Sequence, residues 1–207
     1  MVNSPLFIVL ERARALGFLG PGPVAPQIEH ARKYVAAMKS LGAGSVAEGL
    51  RVADLGSGGG LPGLVVAWDL PGVTLQLIDA MERRCAFLVW ACVEVGLAGR
   101  VSVECARAEE VGHDQGHREV YDVVTARGFG PPAWTAECAG ALTKVGGSVL
   151  ISEPPEERQW PDEGLGRVGL EFAGRHEGLV ELRRGGILPG EFPRSQARNK
   201  RDPLFVD

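Results

Sequence analysis

The sequence predicts an α/β domain built on a doubly wound, Rossmann-like, mostly parallel sheet with an antiparallel hairpin at its edge. Three observations carry that expectation. Short apolar runs alternate with amphipathic segments between residues 50 and 152, the rhythm of a sheet covered by helices on both faces. A glycine-rich turn, "DLGSGGGLPG", follows the first of those runs, where such folds place a ligand. Further on, "VGLEFAGRHEGLVELRR" reads as two strands turning near Glu177 and Gly178. The 207 residues suffice for one domain with a substantial core and a short extension.

Taken in order, "SPLFIVLERARALGFLG" is a helix with Ser4 as N-cap, Pro5 at its first position and a stop at Gly20-Pro21. "PQIEHARKYVAAMKSLG" is a second, with Ile28, Ala31, Val35 and Met38 on one stripe and Gly42 as its stop. Strand "GLRVADLG", short helix "LPGLVVAWDL" and strand "VTLQLID" follow. The helix "AMERRCAFLVWACVEVG" buries Met81, Cys85, Leu88, Cys92 and Val95, which recur at alternating steps of four and three. Then come strands "RVSVECA" and "YDVVTAR", helix "PPAWTAECAGAL" and strand "GGSVLIS", while "EPPEERQWPDEGLG" is a polar loop with a short helix.

Composition narrows the function classes. With 45% hydrophobic and 23% charged residues the chain is neither disordered nor fibrous. No window approaches about 18 uninterrupted apolar residues, and charges arrive too early after Met1 for a secretory signal, so the expected setting is the cytoplasm, with no membrane partner. Cys85, Cys92, Cys105 and Cys138 form no C-x-x-C pair and are expected as buried free thiols, with no metal site. His30, His113, His117 and His176 are scattered and read as surface residues. A net charge of −4 gives no general attraction to nucleic acid, yet "PRSQARNKR" gathers Arg194, Arg198, Lys200 and Arg201 without an acid.

The glycines fit two fingerprints. Gly58, Gly60 and Gly63 satisfy the dinucleotide pattern, while Asp54, Gly56, Gly58 and Gly60 satisfy D-x-G-x-G-x-G. Asp79, ending the second strand, suits a ribose diol in either case. Asp54 discriminates, because a carboxylate beside the turn repels a pyrophosphate and attracts the ammonium and sulfonium of S-adenosylmethionine. Ala108 and Glu109, in the loop after the third strand, stand where an adenine edge would lie. Arg127, ending the fourth strand, suits a cofactor, guanine edge or phosphate, and Phe129 suits base stacking.

Together "DLGSGGGLPGLVVA", "LIDAMERRCAFL", "ARAEEV", "YDVVTARGF" and "FPRSQARNKRDPL" resemble the RsmG (GidB) family of bacterial 16S ribosomal RNA guanine-N7 methyltransferases, over about residues 50 to 207. The resemblance implies a class I S-adenosylmethionine-dependent methyltransferase fold; with the two helices read above, the expected division is a helical N-terminal extension over 1–45 and a methyltransferase domain with its basic tail over 46–207. It implies cofactor contacts at Gly56, Leu61, Ala108, Glu109 and Arg127, with Asp79 at the ribose; Asp54, Gly58 and Gly60 complete the expected set, and Arg127 is the expected catalytic residue. The implied partner is 16S ribosomal RNA or the 30S particle, met by Phe129, Arg194, Arg198, Lys200 and Arg201, with Arg183 and Arg184 as further cations; the protein is expected to act as a monomer. Two features depart from the family. The segment before the first strand lacks its asparagine-leucine-threonine and histidine-aspartate-serine-leucine signatures, and "ISEPPEE" puts acid where a lysine-glycine is usual. These departures keep a small-molecule methyltransferase, or a cofactor-binding protein without catalysis, as the alternatives.

Overall fold

A computed structural model describes residues 4–41 and 49–206. Two helices, α1 (Pro5–Ala15) and α2 (Val24–Leu41), precede β1 (Arg51–Leu55), α3 (Gly63–Asp69), β2 (Thr74–Ile78), α4 (Glu82–Glu94) and β3 (Val101–Glu104). The chain continues through α5 (Ala108–Val111), β4 (Tyr121–Ala126), α6 (Pro132–Leu142), β5 (Thr143–Ser152) and α7 (Asp162–Gly166). It closes with β6 (Leu170–His176), β7 (Leu179–Arg184) and α8 (Gln196–Arg201).

The strands form one sheet in the order β3-β2-β1-β4-β5-β7-β6, parallel except for β7 and β6, which are antiparallel to their neighbours. Chain order reverses between β1 and β4. Register sets Leu55 beside Ile78 on one side and Ala126 on the other, so β1, β2 and β4 end level. The turns that follow, carrying Gly56, Asp79 and Arg127, therefore open at one edge, the crevice such sheets use for ligands.

The strands' two-residue period divides the core. Val52, Leu75, Leu77, Val123 and Leu150 face α1 to α4 in one buried cluster; Ala53, Leu55, Ile78, Val124 and Ile151 face α6 and α7 in the other. α6 is buried along its whole length, which its alanine-rich sequence permits. Glu177 and Gly178 join β6 to β7 with φ of 44° and 83°, the paired positive values of a two-residue hairpin turn. None of the described helices is long and apolar enough to cross a membrane.

Several expectations need correction. Ser4 does cap α1, its Oγ accepting from the Phe7 N–H at 3.2 Å, but the helix ends at Ala15 rather than at Gly20-Pro21. Gly17, at φ 73°, turns the chain out of the helix, and Phe18 and Leu19 leave it. Met81 does not join the buried stripe of α4; it is the exposed N-cap, and Phe87 packs inward instead. Cys105 is exposed while the other three cysteines are buried. His30, His117 and His176 are half-buried rather than on the surface, and the last two are bonded to Tyr121 and Glu181. The stop assigned to Gly42 lies outside the described residues.

Candidate functional site

The turn after β1 is held by its neighbours before any ligand is considered. Gly56 and Ser57 N–H groups donate to Ile78 O at 2.9 and 3.0 Å, and Ser57 Oγ donates to Asp54 O at 2.8 Å. Gly56, Gly58 and Gly60 have φ of 73°, 55° and 98°, where a side chain is strained. At Gly56 a Cβ would also stand 2.7 Å from Phe129 Cδ2, and at Gly59 2.6 Å from Leu19 Cδ2. Backbone on one side and Phe18, Leu19 and Phe129 on the other thus approach across the glycines.

Three contiguous cavities run along this edge. One, of about 210 Å³, is lined by Gly56, Asp79, Met81, Arg84, Ala108 and Phe129. The next, of about 340 Å³, is lined by Phe18, Gln27, Gly58, Leu61, Arg84 and Arg127 among others. The third, of about 450 Å³, lies beyond Phe129 and is lined also by Thr135, Ser152, Glu153 and Arg158. A separate groove lined by Arg51, Gln76 and His117 lies at the opposite, amino-terminal ends of the strands and is no part of this edge.

Asp79 is 5% exposed, and its oxygens accept one backbone N–H each, Oδ1 from Met81 and Oδ2 from Gly58, both at 2.9 Å. Every carboxylate oxygen has a second lone pair, so a diol still finds acceptors there. Arg84 sits 3.6 Å from Asp79, with its buried Nε lacking a hydrogen-bond partner among the described residues. Arg127 donates from Nη2 to Gln27 Oε1 at 3.2 Å, while its buried Nη1 has no hydrogen-bond partner among the described residues. Unpaired buried guanidinium N–H groups are costly and call for an acceptor.

Asp54 corrects the electrostatic expectation. Its carboxylate does not face the cavities: it is 1% exposed, accepting from Thr125 Oγ1 at 2.7 Å and from the Gly63 N–H at 3.2 Å. Burial pushes its carboxyl up to about 6, against the opposing pull of those bonds. The residue ties β1 to β4 and to the start of α3 rather than greeting a cation. Gly60 likewise packs against Leu64 and Leu88 instead of lining a cavity, and Glu109 is drawn aside by Arg107 at 3.0 Å. Gly56, Gly58, Leu61, Asp79, Ala108 and Arg127 do line the groove, as does Phe129, whose ring lies parallel to Trp134 at 6.5 Å.

The basic tail divides. Arg194 is buried, its guanidinium bonding Glu137 at 2.8 Å and Asp202 at 2.9 Å, so it cannot serve as an exposed phosphate contact. Arg184 is also buried, paired with Glu119 at 2.6 Å. Arg198, Lys200 and Arg201 are exposed on α8. Gln27 and Arg84 also line the cavity, outside the expected set of cofactor contacts. Gln27 carries no motif, being an ordinary polar residue of a helix; for Arg84 the only signal was its place after Asp79.

A family model described as rRNA small subunit methyltransferase G matches residues 33–157, which is more than half of the chain. The chain belongs to the rRNA small subunit methyltransferase G family. A member from Symbiobacterium thermophilum is 34% identical over 81% of this chain and 75% of its own length. Another, from Pelotomaculum thermopropionicum, is 28% identical over 95% of this chain and 87% of its own. Among solved structures, a Corynebacterium glutamicum protein superposes with a TM-score of 0.56 at 18% identity, covering 87% of this chain and 89% of that one. The [4+2]-cyclase SpnF superposes with a TM-score of 0.53 at 21% identity, covering 71% and 58%. The strand order and family membership together give the chain the class I S-adenosylmethionine-dependent methyltransferase fold.

Proposed function

We propose that this methyltransferase G family member transfers the methyl group of S-adenosylmethionine to guanine N7 in 16S ribosomal RNA. The observation that carries the reading is the continuous groove at the level ends of β1, β2 and β4, where Asp79 and Ala108 line one cavity and the orphaned Arg127 Nη1 belongs to the next. A ribose diol fits the remaining acceptor capacity of Asp79, and a carboxylate fits the unpaired guanidinium N–H groups of Arg127 and Arg84. The third cavity, walled by Phe129, Thr135 and Ser152, offers an aromatic face and hydroxyls for a flipped-out base.

When bound, the cofactor supplies an electrophilic methyl on a sulfonium. Guanine N7 carries a lone pair and no proton, so this chain needs no general base. Its residues act by binding and alignment, a task worth up to about 7 to 11 kcal/mol. The acid at the mouth is less of an obstacle to RNA than its sequence suggests, because Glu153 is engaged by Trp160 Nε1 at 2.8 Å and by Arg175 at 3.1 Å. Exposed Glu156 and Glu157 favour the second reading, a small-molecule acceptor.

The test is incubation with 30S subunits and tritiated S-adenosylmethionine, followed by cleavage of the RNA at 7-methylguanine. Label at one guanine of 16S RNA is expected; label recovered only in small molecules would establish the second reading. Arg127→Ala is expected to lower kcat/KM at least about a hundredfold, or roughly 3 kcal/mol. Unchanged turnover in that variant would show that the groove is not the site.

A further inference from the structure

Gln27 stands in the first turns of α2, within the N-terminal extension, yet it lines the same cavity as the glycine turn. Its two amide ends are both engaged. Nε2 donates to Gly20 O at 3.3 Å, in the segment that crosses over the glycines, which leaves Oε1 turned to accept from Arg127 Nη2 at 3.2 Å. One face of the Arg127 guanidinium is therefore fixed by the extension, and Nη1 is the buried donor left over. The charged side chains lining this cavity are Arg84 and Arg127; Asp54 lies behind the turn with its oxygens occupied. His30, half-buried nearby, is held toward its neutral form by burial and by Arg127 and Lys33, and adds no anion. Lined by glycine backbone and two arginines, the cavity suits a carboxylate.

We propose that Gln27 is a positioning residue for the methyl donor, orienting Arg127 so that its unpaired N–H receives the donor's α-carboxylate. This rests on reading the groove as the donor site. The extension then forms a wall of the cofactor cavity, with the Gln27 amide as its link to Arg127 after β4.

Calorimetric titration of the full chain with two ligands tests it: S-adenosylhomocysteine, and S-adenosyl-3-thiopropylamine, which keeps the ammonium but lacks the carboxylate. Gln27→Ala is expected to weaken the first about tenfold, the loss of one charge-assisted hydrogen bond, and to leave the second within about twofold. Gln27→Glu, nearly isosteric, should fold as the parent does and weaken the first further, because its carboxylate occupies Arg127 and repels the ligand's own. Equal losses for both ligands, or no loss for either, would overturn the proposal. A rise in KM for RNA with an unchanged ratio of the two ligand affinities would also overturn it, placing Arg127 on nucleic-acid phosphate. Failure of the unaltered protein to bind either ligand would instead remove the donor-site reading itself.

Discussion

Asp54→Asn separates the two roles a carboxylate at that position could have. Asparagine keeps an acceptor for the Gly63 N–H and offers an amide donor to Thr125 Oγ1, whose proton turns to Ala53 O, 3.4 Å away. In the parent, the folded carboxyl titrates at about 6 against an ordinary 3.8, so between those values the folded state holds a proton that the unfolded state has released. Stability from this group is therefore present below about pH 4 and lost as pH rises to 6, a change of roughly 3 kcal/mol for a two-unit shift. Urea unfolding at pH 4.5 and pH 7 should show the parent losing stability relative to Asp54→Asn as pH increases. Parallel behaviour of the two proteins across that range would show that burial does not hold the Asp54 carboxyl in its protonated form.

The last helix shows how far an element can depend on one pair. Arg194, before α8, meets Glu137 of α6 through Nε and Nη2, and Asn199 of α8 bonds the same carboxylate at 2.7 Å. Ser195 begins α8 by accepting from the Arg198 N–H at 3.4 Å. Arg194→Ala leaves Glu137 buried and without its counter-charge, and is expected to cost about 3 to 5 kcal/mol in urea unfolding. A loss below about 1 kcal/mol would mean that the pair is open to solvent. Charge patterning in "PRSQARNKR" could not reveal this, because inward- and outward-facing cations look alike without the partner acid, 57 residues away in sequence. Local signals fared better. Ser4 with Pro5, the alternating strands and Glu177-Gly178 each carry their geometry within a few residues, and each element formed where they placed it. The end of α1 was misplaced because Gly17, itself a competent stop, precedes the more conspicuous Gly20-Pro21.

At the scale of the molecule, α1 and α2 share one buried cluster with β1, β2 and β5, and the segment between them reaches the glycine turn. The groove was legible at Gly56, Gly58, Asp79, Ala108 and Arg127, since motif and strand end coincide there. It was not legible at Gln27, which reaches the cavity only through packing between elements. For RNA, the tail cations that remain exposed are Arg198, Lys200 and Arg201, whereas exposed Arg183 is paired with Glu181 at 2.9 Å. Changing all three to alanine is expected to weaken association with 16S RNA and to flatten its dependence on log salt by up to about 2 to 3, one released counterion for each lost phosphate contact. A slope unchanged in the triple variant would place the RNA elsewhere.

The clasp of Glu137 on Arg194 and Asn199 also bears on how quickly a polyanion could be captured. Residues 195 to 201 are already wound as backbone and pinned through Asn199, so the encounter has no backbone ordering to pay for and only the exposed side chains of Arg198, Lys200 and Arg201 remain to be ordered. Capture by such a surface is governed by long-range steering, which is fast at low ionic strength and slows steeply as salt is added.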